Sequence, residues 1–368
     1  MSEWNLEEYL SHGVDRIIKG ILKASLQNPK ESIFMMQYAK DSRRAREIRR
    51  TQEEEGTHIP PFLIASITNQ CNLHCKGCYA RANHSCHDRG TCENGSLRAE
   101  EWKRIFDEAA ELGIGFVLLA GGEPTIRPEV LEAAGKQKKI LFPVFTNGTL
   151  MKDSIFMIFE KNRNLIPVFS IEGDEQTTDT RRGAGTYQML VHHMERCKKE
   201  GILYAASVTV HKDNMEEALS DSFLHKLSDK GCKGVVYVEY VPVDGNTRNL
   251  ALEDADRDRM NQRLDQIRTE REDMVFVSFP GDEKSSGGCL AAGRGFFHIN
   301  AAGGAEPCPF SPYSDTSLKT MSLKEALNSP LFVRLREEGH LEREHIGGCV
   351  LFEPVSYTHL TLPTTARV

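Results

Sequence analysis

The sequence predicts an α/β protein built on a parallel sheet, and three observations carry that prediction. From Phe62 to Glu272, short apolar runs of strand character alternate with longer stretches of helical period. Each run is separated from the next by enough chain for a helical crossover, which implies parallel pairing with right-handed connections. The glycine, cysteine and acidic motifs fall at the C-terminal ends of those runs, where parallel α/β folds place their functional loops. Such a chain closes as an incomplete barrel or opens as a doubly wound sheet, and periodicity does not choose between them.

A chain of 368 residues buries a large core and has room for a barrel plus a smaller domain. Residues 1–60 read as a helical extension. VDRIIKGILKASL and SIFMMQYA carry apolar residues at helical spacing, and Gly56 with Pro60-Pro61 ends the segment. It is expected to pack outside the barrel. Its basic stretch, Lys40–Arg50, is followed by Glu53-Glu54-Glu55, and a solvated face is favoured over RNA or membrane contact. The expected strands are Phe62–Thr68, Phe116–Ala120, Ile140–Thr146, Pro167–Ile171, Ala205–Val210 and Val235–Val241. The helices between and after them are Leu97–Leu112 with Ser96 as cap, Arg127–Lys138, Asp153–Lys161, Tyr187–Glu200, Glu216–Lys230 and Asp254–Glu272. Phe276–Phe279 is read as starting a strand beyond the barrel.

Composition narrows the class. Hydrophobic residues at 39% and charged residues at 27% are ordinary for a soluble globular protein. A net charge of −7 argues against a nucleic-acid partner. No apolar run is long enough to span a bilayer, and the polar, acidic start MSEWNLEEYLSHG is no signal peptide. Ten cysteines without secretion point to the reducing cytoplasm and to metal ligation over disulfides.

Cys71, Cys75 and Cys78 stand at C-x3-C-x2-C just after the first strand. Thiolates are soft ligands suited to iron–sulfur clusters or zinc. Structural zinc takes four protein ligands, whereas three thiolates leave one iron of a four-iron cluster open to a substrate or cofactor. Gly121-Gly122-Glu123-Pro124 follows the second strand, Thr146-Asn147-Gly148 the third, and Ser170-Ile171-Glu172-Gly173 the fourth. Taken alone, the glycine motif is a plain strand-to-helix turn.

Together these motifs resemble the radical S-adenosylmethionine (SAM) superfamily over roughly residues 60–245. The resemblance implies a partial (β/α)6 TIM-type barrel over residues 61–274. It implies that Cys71, Cys75 and Cys78 hold a 4Fe-4S cluster whose open iron binds the amino and carboxylate groups of SAM. Reductive cleavage of SAM then gives a 5′-deoxyadenosyl radical that abstracts a substrate hydrogen. An electron donor such as flavodoxin or ferredoxin is implied. By the same resemblance, Gly121, Gly122, Glu123 and Pro124 approach the methionyl amino group. Ser170 and Glu172 reach the SAM ribose or methionyl end, although many relatives carry Asp at the Glu172 position. Ser207 and Arg182 are candidates for the methionyl carboxylate, with Arg181 an alternative for Arg182. Asn147 serves the cofactor or supports its loop, and Tyr79 packs on the cofactor or in the core.

Residues 275–353 resemble the SPASM and twitch domains of such enzymes. Cys289 and Cys308 flank a hairpin, FFHINAAGGAEP, and Cys349 supplies a third thiol for an auxiliary iron–sulfur cluster. Their sulfurs are expected to lie together, on the side of the barrel that carries Cys71–Cys78. The insert Asn83–Gly95, with His84, Cys86, His87 and Cys92, fits no zinc spacing and is expected to be a mobile loop over the site. Cys197 and Cys232 read as buried, inert thiols. The ending SYTHLTLPTTARV continues no pattern, so residues 354–368 are expected to be a non-native tail. SPASM-type domains suggest a peptide or protein substrate. The alternatives are an RNA- or small-molecule-modifying radical enzyme and a zinc-stabilised binding protein without catalysis.

Overall fold

The computed structural model describes residues 6–24, 29–88, 90, 95–242, 245–279, 287–341 and 350–351. In chain order its strands are β1 (Phe62–Thr68), β2 (Gln70–Cys71), β3 (His87–Asp88), β4 (Phe116–Gly121), β5 (Phe142–Thr146) and β6 (Leu165–Ser170). They continue with β7 (Ala205–Val210), β8 (Gly234–Glu239), β9 (Val275–Phe279), β10 (His298–Ile299) and β11 (Ala305–Glu306). Nine of them form one sheet in the order β11-β10-β1-β4-β5-β6-β7-β8-β9, and β2 and β3 pair separately. Every pairing is parallel except β10 with β11. With helices on the outer face, this is a partial TIM-type barrel.

The six expected strands are present, and the sheet extends past both of its expected edges. The run read as starting beyond the barrel is β9, which pairs in parallel with β8. It follows the helix Asp254–Glu270 just as the inner strands follow theirs. A boundary at 274 therefore cuts the sheet. At the other edge, β10 pairs in parallel with β1. Two local expectations also change. The helix Ala99–Glu111 is capped at Arg98, where Glu101 accepts the backbone N–H at 2.7 Å, and not at Ser96. The stretch Glu216–Lys230 is two helices, because the Ser220 side chain caps Asp221–Asp229 by accepting from Phe223 N.

The N-terminal helices, α1 (Leu6–Ala24) and α2 (Pro29–Glu54), pack against the N-terminal end of the barrel. Ile18, Met35 and Tyr38 cluster with Phe116, Leu141, Ile166 and Leu203, which stand at the starts of strands. Tyr38 Oη donates to Gly115 O at 2.6 Å, and Arg49 donates to Gly113 O at 2.7 Å. Arg163 bridges the buried Glu31 at 2.5 Å and Gly201 O at 2.7 Å. All these partners belong to the N-terminal end of the sheet. A ring of apolar strand starts needs a cover to leave water, and the extension supplies it. The basic stretch lies within α2, where Arg49 is buried in this cover.

Alternate strand residues such as Ser66, Ala120, Phe145, Ser170, Thr209 and Val238 stay partly exposed, although helices cover the outer face. They line a lumen. At its seam the Phe296 ring packs against Phe279 of β9 at 5.4 Å and Phe62 of β1 at 5.2 Å. Among the described residues, no helix is long and apolar enough to cross a membrane.

Candidate functional site

The three motif cysteines lie in the loop after β1, each half-buried. Backbone contacts fix this loop from several sides. Gly122 N donates to Thr68 O at 2.8 Å, Glu123 N to Gln70 O at 2.7 Å, and Lys76 N to Arg181 O at 2.8 Å. Arg81 donates to Leu73 O and Cys71 O at 2.9 and 3.3 Å. Asn147 Nδ2 lies 3.1 Å from Asn72 Oδ1 and 3.9 Å from Cys71 Sγ, so this residue supports the loop and reaches the first cysteine.

The glycine turn is read differently in three dimensions. A Cβ on Gly122 would stand 1.9 Å from Gln70 O and 2.9 Å from Cys71 N. Gly121, at φ 124°, would place one 2.2 Å from Thr68 O. The close approach these glycines permit is to the cysteine loop itself. The Glu123 side chain does not reach out for a ligand. Its buried carboxylate accepts from Thr125 N, Thr125 Oγ1, Thr146 Oγ1 and Asn147 N at 3.1, 2.6, 2.7 and 2.7 Å. It ties the end of β4 to the end of β5. Burial raises its pKa against these hydrogen bonds. Pro124 is buried at the start of the short turn Pro124–Ile126.

Ser170 and Ser207 stand side by side in the β6–β7 register, at the open end of the lumen. Glu172 is fully buried and ion-paired. Its Oε1 lies 2.6 Å from Arg181 Nη1 and 2.5 Å from Arg182 Nη2, and its Oε2 accepts from Thr209 N at 3.1 Å. Arg182 is thus largely committed to Glu172, with Nη1 aimed at Cys75 Sγ at 4.0 Å. Burial raises the Cys75 thiol pKa, and the two arginines partly offset it. For Glu172, burial pushes the pKa up, but Arg181 and Arg182 outweigh it and hold it below the ordinary 4.5. A depressed carboxylate stabilises the fold fully above its unfolded pKa, and the contribution is lost as pH falls through the folded value. Glu172→Gln leaves two buried guanidinium groups without their counter-charge. It should cost about 3–5 kcal/mol at pH 7, read from urea unfolding. The deficit should shrink as both proteins are taken below pH 4.5. A loss under about 1 kcal/mol at pH 7, the scale of a surface pair, refutes this role.

The described part of the insert is joined to the cysteine loop. β3 pairs with β2, His87 N donates to Asn69 O at 2.7 Å, and Arg81 bridges to Asp88 at 3.0 Å. Cys86 is buried beside Cys71, and the coupling of the two thiols lowers the Cys71 pKa while that of Cys86 is raised. No spacing in the sequence marks Cys86 as this partner, and only the short β2–β3 ladder brings it there. Cys92 lies outside the described residues.

Tyr79 packs edge-on against Phe310 at 4.8 Å, and Asn83 donates to Pro309 O at 3.3 Å. The segment after Cys308 therefore docks beside the cysteine loop. Cys289 and Cys308 are buried, and Ala292 N to Pro307 O at 3.1 Å joins their segments. Cys349 and the tail from 354 onward lie outside the described residues. Cys197 and Cys232 are buried in the core, with burial raising the Cys232 pKa to about 12.

Zinc at 2.3 Å from each sulfur would hold its thiolates about 3.8 Å apart. Among the described residues, no three of His, Cys, Asp or Glu gather closely enough for one ion. Three half-buried loop thiols with the Arg182 guanidinium beside Cys75 supply one thiolate per iron and a positive charge for an anionic cluster.

Comparison with known proteins agrees. Residues 65–224 match the family model described as Radical SAM superfamily. The chain is 26% identical to Fe-coproporphyrin III synthase of Methanosarcina barkeri over 60% of its own length and 54% of that protein's. It is 25% identical to AdoMet-dependent heme synthase of the same organism over 78% and 87% of the two chains. Streptococcus suis SuiB, solved bound to precursor peptide SuiA, superposes with a TM-score of 0.64 at 21% identity over 85% of this chain and 73% of that one.

Proposed function

Because the chain belongs to the radical SAM superfamily, we propose that Cys71, Cys75 and Cys78 hold a 4Fe-4S cluster at the open rim of the lumen and that the chain modifies a peptide bound beneath it. When bound, the cluster and SAM supply the 5′-deoxyadenosyl radical that takes a hydrogen atom from the substrate. The chain's residues position and shield. Arg181 and Arg182, balanced by Glu172, put a net positive charge beside Cys75, which stabilises thiolates there. Asn147 steadies Cys71, and the Ser170–Ser207 pair offers hydroxyls to the cofactor's polar end. The helical cover at the far end keeps water out of the lumen from below.

The observation that carries this reading is a three-cysteine loop over a lumen lined by partly exposed strand residues. An auxiliary cluster on Cys289, Cys308 and Cys349 belongs to the same proposal, as do a flavodoxin- or ferredoxin-type donor and a cytoplasmic location. The likeness to SuiB, which was solved with a peptide, favours a peptide substrate. A second reading, a tetrapyrrole substrate, is favoured by the names of the two Methanosarcina relatives.

Anaerobic iron and sulfide quantitation with a SAM-cleavage assay tests the proposal. About four irons per chain are expected for the first cluster, with more if the auxiliary site fills, and 5′-deoxyadenosine should form on reduction. Zinc in place of iron refutes it. Binding of Fe-coproporphyrin III, without stimulation of SAM cleavage by peptides, would transfer the assignment to the second reading.

A further inference from the structure

On the lumen face of β1, below the cysteine loop, lies a polar group that the chemistry above does not use. Ser66 Oγ is 2.7 Å from His298 Nε2. His298 Nδ1 is 2.7 Å from Glu306 Oε2, and Asn300 Nδ2 donates to Glu306 Oε1 at 2.6 Å. Asn300 Oδ1 in turn accepts from Ala302 N and Gly304 N at 3.1 and 2.8 Å, so the hairpin turn fixes the whole chain of contacts. His298 and Glu306 are 4% and 5% exposed, while Ser66 is partly open.

Register places the group. His298 pairs with Ile64 across β1–β10, and Glu306 pairs with His298 across β10–β11. Ser66, two residues after Ile64, shares their face. It stands opposite Ala120, one pleat before the Thr68–Gly121 pair. Two residues of strand put it about 7 Å below the glycine turn, on the lumen face.

The hydrogen-bond directions follow from chemistry. A carboxylate only accepts, so Glu306 fixes the proton on His298 Nδ1 and leaves Nε2 as the acceptor. Ser66 then donates its proton to Nε2, and its remaining oxygen lone pairs are left for the lumen. A hairpin staple alone needs His298 and Glu306 but no half-open serine.

We propose that Ser66, with His298 and Glu306 behind it, is a proton-accepting site for a substrate group that carries an N–H or O–H donor. Its location relative to the reacting carbon rests on the radical SAM reading. Ser66 touches the substrate, and His298 and Glu306 act through it. When the donor X–H is deprotonated, its proton passes to Ser66 Oγ as the Ser66 proton passes to His298 Nε2. The X–H and original Oγ–H bonds break, a new Oγ–H and an Nε2–H bond form, and no electron is transferred. The imidazolium that results is balanced by Glu306.

The test uses the full chain with 15N-labelled histidine side chains, the His298 signals being assigned by their loss in His298→Gln. N-methylacetamide serves as an amide N–H donor, ethanol as a hydroxyl donor, and N,N-dimethylacetamide as the matched amide without a donor. Titration of the wild type with at least one of the two donors should shift the His298 Nε2 resonance saturably, and which one does so identifies the donor class. Ser66→Ala should lose the shift, and Ser66→Thr, which keeps the hydroxyl, should restore it. No wild-type shift with either donor, an equal shift with N,N-dimethylacetamide, or an undiminished shift in Ser66→Ala overturns the proposal. SAM cleavage by the wild-type chain is measured separately. If it fails while the titration succeeds, the radical reading falls and the proton-accepting site stands.

Discussion

Single replacement of Cys71, Cys75 or Cys78 by alanine should abolish 5′-deoxyadenosine formation and remove about four irons per chain. Each sulfur is held by its own framework, so none can substitute for another. Cys71 is set by Asn147, Arg81 and the β2–β3 ladder, and Cys75 by Arg182 and the Lys76–Arg181 backbone bond. Cys78 leads directly into the short helix Tyr79–Ala82, which docks through the Tyr79 ring. Cys86 is the natural control. It touches Cys71 but stands outside the proposed ligand set, so Cys86→Ala should keep its iron. A Cys75→Ala chain with wild-type iron and turnover would remove that residue from the site. Iron loss in Cys86→Ala equal to that in Cys71→Ala would add a fourth thiol to it.

Gly122→Ala should be nearly as damaging, through the cysteine loop and not through SAM alone. One methyl group would meet Gln70 O at 1.9 Å and Gln70 C at 2.3 Å, and both are backbone atoms that cannot swing aside. The turn and the loop must separate, breaking the Gly122–Thr68 and Glu123–Gln70 hydrogen bonds. The expected outcome is loss of iron and sulfide in parallel with loss of SAM cleavage. Full cluster content with weakened SAM binding would restore the simpler view, that the glycine makes room only for the cofactor.

The strand–helix alternation was legible because each element satisfies its own local pattern, and so were the three cysteines, because their spacing is local. What was hidden depends on partners distant in sequence. Glu172 and Arg182 both read as groups reaching for a ligand, because nothing local says that they neutralise each other inside the protein. Glu123 has four donors supplied by two strand ends, and only one of those ends is its own. His298 looked like an ordinary strand residue until β10 was laid beside β1. The N-terminal helices were correctly read as helices, but their destination was set by apolar strand starts spread over some ninety residues of chain, from Phe116 to Leu203.

The cover built from Ile18, Met35 and Tyr38 also governs traffic. The strand starts are covered by packed side chains, so a guest reaches the lumen from the end that carries the cysteine loop or past the unpaired sheet edges at β9 and β11. If the proposed cofactor sits at that loop, a substrate held beneath it shares its side of approach, and the covered end fixes which face of the molecule both must meet.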